Sequence, residues 1–363
     1  MKRIWNLALG AAALCAALLC GCSFSGSSTP AGSVPTDPLT GQALQYPGER
    51  TAAVVIENAA SSTTQWGIGS ASVVLEALTE SGQPTSLCLA YPAVSAMPTV
   101  GAVTLGQDLY WRLLSGQEVL PIQRGAGRFA RNYLDYYNLR AVDALEVGRN
   151  AFACDEGWSN TPLWRTSGKN VAAVLDSLNL SGTLADRSAS ASSTVSTTDE
   201  AASAPVLPAL LPQAEDPRLP EPGAGDAAQV QIHFAPQSST GFAYDAAGGT
   251  YGMLRADGTA QLDANTGTQA QFDNLLILYS ASSLRDDGTT LDYDLSLGGG
   301  VWLHGGQLWH ITWTQGTDST FAFYDADGRP LSICTGRSYI ALVSSVTGQE
   351  LTVLDSAGQN ALN

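Results

Sequence analysis

Between Leu39 and Leu180 the chain alternates short apolar runs with stretches of helical spacing. Thr51-Ala-Ala-Val-Val-Ile56 is continuous and rich in β-branched residues, which predicts a buried strand. From Ile68 to Glu80, Val73, Val74, Ala77 and Leu78 share one helical face. Ser70 or Ser72 suits the start of a helix there, and Gly82-Gln83-Pro84 its end. Thr85 to Tyr91 predicts a second strand and Glu118 to Ile122 a short third one. Leu105 to Leu114 predicts a helix with Leu109, Leu113 and Leu114 as its apolar side. Phe129, Tyr133 and Tyr137 recur four residues apart within Gly127 to Tyr137, a further helical pattern. Val171, Val174, Leu175 and Leu178 align in another. Strands separated by helices predict an α/β layer domain over residues 39–182.

The pattern then changes twice. Residues 183–228 are dominated by Ser, Ala and Thr, then Pro, with no aromatic residue. They predict a disordered linker or insertion, and a domain boundary falls there. Residues 229–354 are short alternating runs punctuated by Gly248-Gly249, Asp257-Gly258, Asp287-Gly288, Gly305-Gly306 and Asp327-Gly328. Such pairs supply the positive φ of tight hairpins, so a mainly antiparallel β domain is predicted. Gly300 to His304 and Leu308 to Trp313 are two of its strands, and 355–363 is a tail. The fold class expected is α+β, with the α/β layer domain first and the β domain second.

The N-terminus reads as a targeting signal. Lys2 and Arg3 precede an apolar run from Ile4 to Leu19, and Leu19-Cys20-Gly21-Cys22 follows. The run is short for a membrane span, which needs about 20 apolar residues. The ending resembles the lipobox of bacterial lipoproteins, with Cys20 an unusual occupant. That resemblance implies removal of residues 1–21 and a diacylglycerol thioether on Cys22. Diacylglycerol brings two chains, where one alone binds only marginally. An uncleaved transmembrane anchor is the competing reading. Residues 22–38 are mostly Ser, Gly, Thr and Pro, a flexible stalk. The expected location is the cell membrane, on its extracytoplasmic face, with the membrane as partner through Cys22.

Charge and composition narrow the classes. The formal charge of −16 becomes −18 without Lys2 and Arg3, which disfavours nucleic acid. Apolar residues make up 44%, enough for real cores. Without Cys22 the processed chain keeps Cys88, Cys154 and Cys334, an odd and widely spaced set that does not suggest a disulfide framework. His233, His304 and His310 form no zinc spacing with them. No metal and no cofactor is expected.

Several stretches resemble the YerB-like DUF3048 family of bacterial lipoproteins. They are Asp37-Pro-Leu-Thr-Gly-Gln42, Val54-Val-Ile-Glu-Asn58, Gln65-Trp-Gly-Ile68 and Val73-Val-Leu-Glu-Ala-Leu-Thr-Glu80. In the second half they are Phe242-Ala-Tyr244, Thr250-Tyr-Gly252, Asp257-Gly258, Asp263 and Asn274-Leu-Leu-Ile277. The resemblance implies paired N- and C-terminal domains and no assigned activity. It also implies departures. Val100 to Gln107 lacks two arginines of the family pattern, and Gln123 to Ala126 and Asn160 to Trp164 each lack a histidine.

The candidate groove is Glu57, Asn58, Gln65, Glu76 and Glu80, the polar positions of the first block. Two carboxylates suit acid–base work on a glycoside; on a helix, Glu76 and Glu80 more simply line a solvated face. Cys88 lies in an apolar strand and reads as a small buried hydrophobe. The acidic turns at Asp257, Asp286 and Asp325 lack a calcium-loop spacing and read as hairpins. Trp302, Trp309, Trp313 and Tyr339 read as core, whereas Trp158 and Trp164 lie near the lost histidine. No catalytic residue is assigned. The functional expectation is a binding or scaffold protein of the cell envelope, with a wall polymer or an envelope protein as partner. The alternative is an enzyme acting on peptidoglycan or another wall polymer, with Glu76 or Glu80 as acid or base.

Overall fold

The computed structural model describes residues 35–59, 64–156, 162–184, 207–220 and 225–362. Cys22, expected as a lipid-anchor position, and the aromatic Trp158 lie outside them. The first strands are β1 (Ala52–Glu57), β2 (Val73–Ala77) and β3 (Ser86–Tyr91). After the short β4 (Val100–Gly101) come helix α1 (Asp108–Leu113), β5 (Leu120–Gln123) and helix α2 (Arg128–Tyr136). The first half closes with β6 (Val142–Asp143), α3 (Ala144–Val147), β7 (Ala153–Glu156), β8 (Pro162–Thr166) and α4 (Gly168–Ala172). None of the described helices is long and apolar enough to cross a membrane.

One 12-stranded sheet runs through both halves of the chain. Its N-terminal part has the order β2-β3-β1-β5-β6. Beside β2, in parallel, lies Ser338–Ser344, and beyond it Asn274–Ser280, Leu297–His304 and Gln307–Gln315. The two stretches read as separate domains therefore share a hydrogen-bonded seam, Val73 to Ala77 against Ser338 to Leu342. A second sheet of five strands, among them Gln229–Ala235, Ser238–Asp245 and Thr250–Leu254, belongs to the C-terminal half.

The seam explains where the reading of Ile68 to Glu80 departs from the structure. Val73–Ala77 is a strand with every residue buried. A strand covered on both faces loses its alternation and reads as an apolar run. The spacing of Val73, Val74, Ala77 and Leu78 fits a helix as well as it fits that run. β1, β3, β5, α1 and α2 form where the pattern places them, with ends shifted or shortened by one to three residues. Val171 to Leu178 is the short α4 continued by a 3₁₀ turn, Asp176–Leu178.

The stretch expected as linker is partly built into the fold. Leu210 and Leu211 are fully buried, Gln213–Ala214 pairs with Ile333–Cys334, and Gly225–Asp226 pairs with Gln307–Leu308. Short apolar anchors within a polar, Pro-rich segment leave too little periodic signal to reveal such docking. The expected tail also closes on itself. Ala361 donates its N–H to Val353 and is buried, after a turn in which Asp355 accepts from Ala357 and Gln359.

The C-terminal core is aromatic. Trp302, Trp309 and Trp313 are buried, and the rings of Trp302 and Trp309 stack with centroids 4.7 Å apart. Phe242 and Tyr339 meet at 4.7 Å and Phe272 and Tyr339 at 5.8 Å, so the second sheet packs on the seam. The acidic turns are hairpins: Asp257 accepts from Thr259, and Asp325 from Asp327 and Arg329. At Asp287, hydrogen bonds from Thr290 and then Thr289 hold the carboxyl down at about 2.

Candidate functional site

β1 runs apolar and buried from Ala52 to Ile56, then delivers Glu57 and Asn58 where the sheet meets solvent. Asn58 turns back. Its Nδ2 donates to Glu76 Oε1 at 2.7 Å, while Gln65 Nε2 donates to the Glu57 carbonyl at 2.6 Å and to Asn58 Oδ1 at 3.2 Å. Four of the five candidate residues thus form one connected set. Glu80 is outside it. It lies beyond the end of β2 in a backbone bridge to Thr290, and four extended residues span roughly 13 Å. Because β2 is a strand, Glu76 and Glu80 do not share a helix face.

Glu76 is 1% exposed at the seam. Besides Asn58, it accepts from the Thr85 hydroxyl at 2.6 Å, from Thr240 at 2.9 and 3.0 Å, and from the Tyr339 hydroxyl at 2.6 Å. Ser238 completes the group, 3.1 Å from Thr85 Oγ1. Burial pushes the Glu76 carboxyl up, against the lowering effect of these donors. Tyr339 is raised well above the usual phenol range by burial and by Glu76. The adjoining cavity, lined by Asn58, Ser238, Thr240 and Gln261, measures about 20 Å³, room for a single water. A carboxylate so enclosed cannot meet a polymer. Its chemistry is to hold two sequence-distant halves together.

Glu57 is half-buried; burial raises its carboxyl and the Arg124 guanidinium partly offsets that. The stretches expected to depart from the resembled pattern, residues 100–107, 123–126 and the described 162–164, are bonded to this region. Glu57 and Trp66 donate their N–H groups to Ala102 and Gly101, and Thr104 donates to Val55. Arg124 donates to Thr104, Gly106 to Gly125, and Val103 to Trp164. Gly101 also pairs with Arg165. Arg165 lies over the Trp66 ring at 4.9 Å and pairs with Asp155.

On these segments sit five buried polar atoms without a hydrogen-bond partner: Gln65 Oε1, Gln123 Oε1, Arg124 Nε, Trp164 Nε1 and Arg165 Nε. Each such atom costs about 1–3 kcal/mol, so their grouping asks for an explanation. The sequence points to Glu57 and Gln65. It marks Trp66, Gln123 and Arg124 only through the family resemblance and Arg165 not at all, because only the cross-loop bonds bring these near β1.

The remaining candidates are quiet. Cys88 is buried and its thiol is raised by desolvation. Cys88, Cys154 and Cys334 are all free. His304 Nδ1 lies 2.8 Å from the Asp273 carbonyl. Among the described residues no group of three or more His, Cys, Asp or Glu is placed to hold a metal.

No curated protein matches the chain. The structure is similar to the crystal structure of YerB from Bacillus subtilis, with a TM-score of 0.71 and 20% sequence identity over 87% of this chain and 99% of that one. At that identity the likeness shows the fold. The family models for the N-terminal and C-terminal domains of DUF3048, a protein of unknown function, match residues 39–183 and 230–340, and the chain belongs to the DUF3048 family.

Proposed function

We propose that the chain is a lipid-anchored binding protein of the cell envelope, held at Cys22 on the outer face of the cytoplasmic membrane. Its binding site is the surface at the end of β1, around the half-buried Glu57 and Trp66 and the exposed Leu105 and Leu145. One observation carries this reading: the exposed Leu105 and Leu145 flank Gly125, on a segment bonded through Arg124 and Thr104 to the end of β1, where Glu57 is half-buried. The anchor rests on the order Lys2-Arg3, apolar run, Gly21-Cys22.

The rival reading, an enzyme acting on wall polymer, moves to Glu57, since Glu76 is sealed and Glu80 lies elsewhere. A half-buried carboxyl raised by burial suits a general acid. The test uses the soluble chain from Ser23 and purified cell-wall sacculi. The binding reading expects saturable co-sedimentation with no release of soluble fragments. Fragment release that Glu57→Gln abolishes would give the site to the enzyme instead. A chain that stays in the supernatant in both senses would end the envelope-polymer reading. The anchor has its own test: Cys22→Ser should move the protein from the membrane fraction to the medium.

A further inference from the structure

We infer that the chain carries a second site, a cleft at the Pro330–Leu331 end of the large sheet, for a short peptide with free amino and carboxyl ends. Pro330–Leu331 is the outermost strand at one end of that sheet, and β6 lies at the other, near β1. The cleft has a volume of about 560 Å³, inside the range of about 300–1,000 Å³ of small-ligand sites. One wall is a strap from Ala214 to Pro220, and the other is the turn and edge strand from Asp325 to Ser332. The two walls start side by side, where Gln213–Ala214 pairs with Ile333–Cys334 above the buried Leu210 and Leu211. Beyond that point Pro217, Pro220 and Pro330 have no N–H to give to a ladder. The pairing stops and the gap stays open. Their fixed φ also leaves less of the walls to be ordered when a ligand enters.

The second observation is charge. Three carboxylates, of Asp216, Asp325 and Asp327, and two guanidiniums, of Arg218 and Arg329, line the cleft. The turn engages its own. Asp327 pairs with Arg329 at 2.6 Å, and Asp325 accepts from the N–H groups of Asp327 and Arg329. On the strap, the side chains of Asp216 and Arg218 are exposed and make no hydrogen bond or ion pair with any of the described residues. They stand two positions apart, at most about 7 Å at their Cα atoms. An anion alone meets three carboxylates, and a cation alone meets two guanidiniums. A molecule that carries both charges offers its carboxylate to Arg218 and its ammonium to Asp216.

The third observation is what covers the rest of the cleft. Pro217, Leu219, Pro220, Pro330 and Leu331 give it an aliphatic lining. Among the described residues no aromatic side chain lines it, so a sugar or a base finds no ring to stack on. Small aliphatic side chains between two charged ends fit this lining, and a peptide of two to four small residues has both.

Calorimetric titration of the soluble chain from Ser23 with di-, tri- and tetra-alanine, their ends free, tests the site. Saturable binding of one or more of these peptides is expected. N-acetylation or C-amidation of the bound peptide should each weaken it about fivefold, the equivalent of about 1 kcal/mol for one exposed pair. Asp216→Asn should weaken the free-ended peptide by the same factor and leave the N-acetylated one unchanged. Arg218→Gln should do so for the free-ended peptide and leave the C-amidated one unchanged. Both side chains are exposed and unbonded, so neither substitution threatens the fold. Failure of all three peptides to bind overturns the inference. So does binding that capping the ends leaves as tight, and so does binding that either variant leaves as tight, which would place the peptide elsewhere. The surface at β1 keeps its own test with sacculi, and either site stands if the other fails.

Discussion

Glu76→Leu should destabilise the protein by about 3–5 kcal/mol, the range seen when one partner of a buried polar or charged group is removed. Leucine has nearly the right volume, so cavity formation is a small part of the effect. The loss comes from the donors. Asn58, Thr85, Thr240 and Tyr339 all aim at this carboxyl, and each buried donor left without an acceptor costs about 1–3 kcal/mol. The sum stays below four separate penalties because the hydroxyls can turn toward one another; Thr85 already has Ser238 within 3.1 Å. Glu76→Gln separates charge from hydrogen bonding. Burial raises the carboxyl, so the folded state holds its proton above the ordinary carboxylate range. The folded state then binds more protons than the unfolded one, and stability falls as pH rises from that range toward the elevated folded value. Glutamine cannot titrate, so this fall should be missing from the variant, which should equal or exceed the parent on the alkaline side. Urea unfolding of parent, Gln and Leu variants at pH 5 and pH 8 decides it. Parallel pH slopes for parent and Gln would show that Glu76 titrates normally; a Leu variant as stable as the parent would remove the cluster's structural role.

The same residue marks the limit of what sequence reveals. A glutamate inside an apolar run is visible at once, and so is Asn58 at the end of β1. That they bond is a pairing between two neighbouring segments and lies within reach of pattern reading. That Thr240 and Tyr339 join them is not, because they lie 164 and 263 residues away and no local preference encodes the contact. The helix expected over Ile68 to Glu80 follows from the same blindness: β2 is flanked by a strand more than 250 residues distant, which pairs with its second edge and makes it a central strand. Where pairing is local, as for β1 with β3 or Leu297–His304 with Gln307–Gln315, the pattern and the structure agree. The rim at Glu57 was half-legible for a related reason. Its acid and amide lie in one block, while the groups opposite come from three loops joined only by backbone bonds.

The family models divide the chain into two domains, and the sheet joins them; the second large prediction concerns that joint. Arg337 precedes Ser338–Ser344, and its guanidinium reaches across the seam. It donates to the carbonyls of Ala71 at 2.8 Å and Ile68 at 2.8 Å in the first half and of Gln271 at 2.6 Å in the second. Its backbone N–H donates to Asp273, and its side chain lies over Phe272 at 4.9 Å. Burial lowers its basicity, with Asp273, Tyr91 and Asp263 opposing that shift. Arg337→Met keeps the apolar stem and orphans three carbonyls, for an expected loss of about 3 kcal/mol after relief of the buried charge. The exposed pair Arg128–Asp286 offers a control, since such pairs contribute about 0–1 kcal/mol. Arg337→Lys should fall between, because an ammonium satisfies one or two of the three carbonyls. The readout is denaturant unfolding followed at two places, with amide exchange of β2 and of Ser338–Ser344. Both strands should lose protection together and by the same amount, since the lost bonds belong to both halves. A methionine variant within about 0.5 kcal/mol of the parent, or protection lost on one side only, would mean that the strand pairing at Val73–Ala77 holds the halves without Arg337.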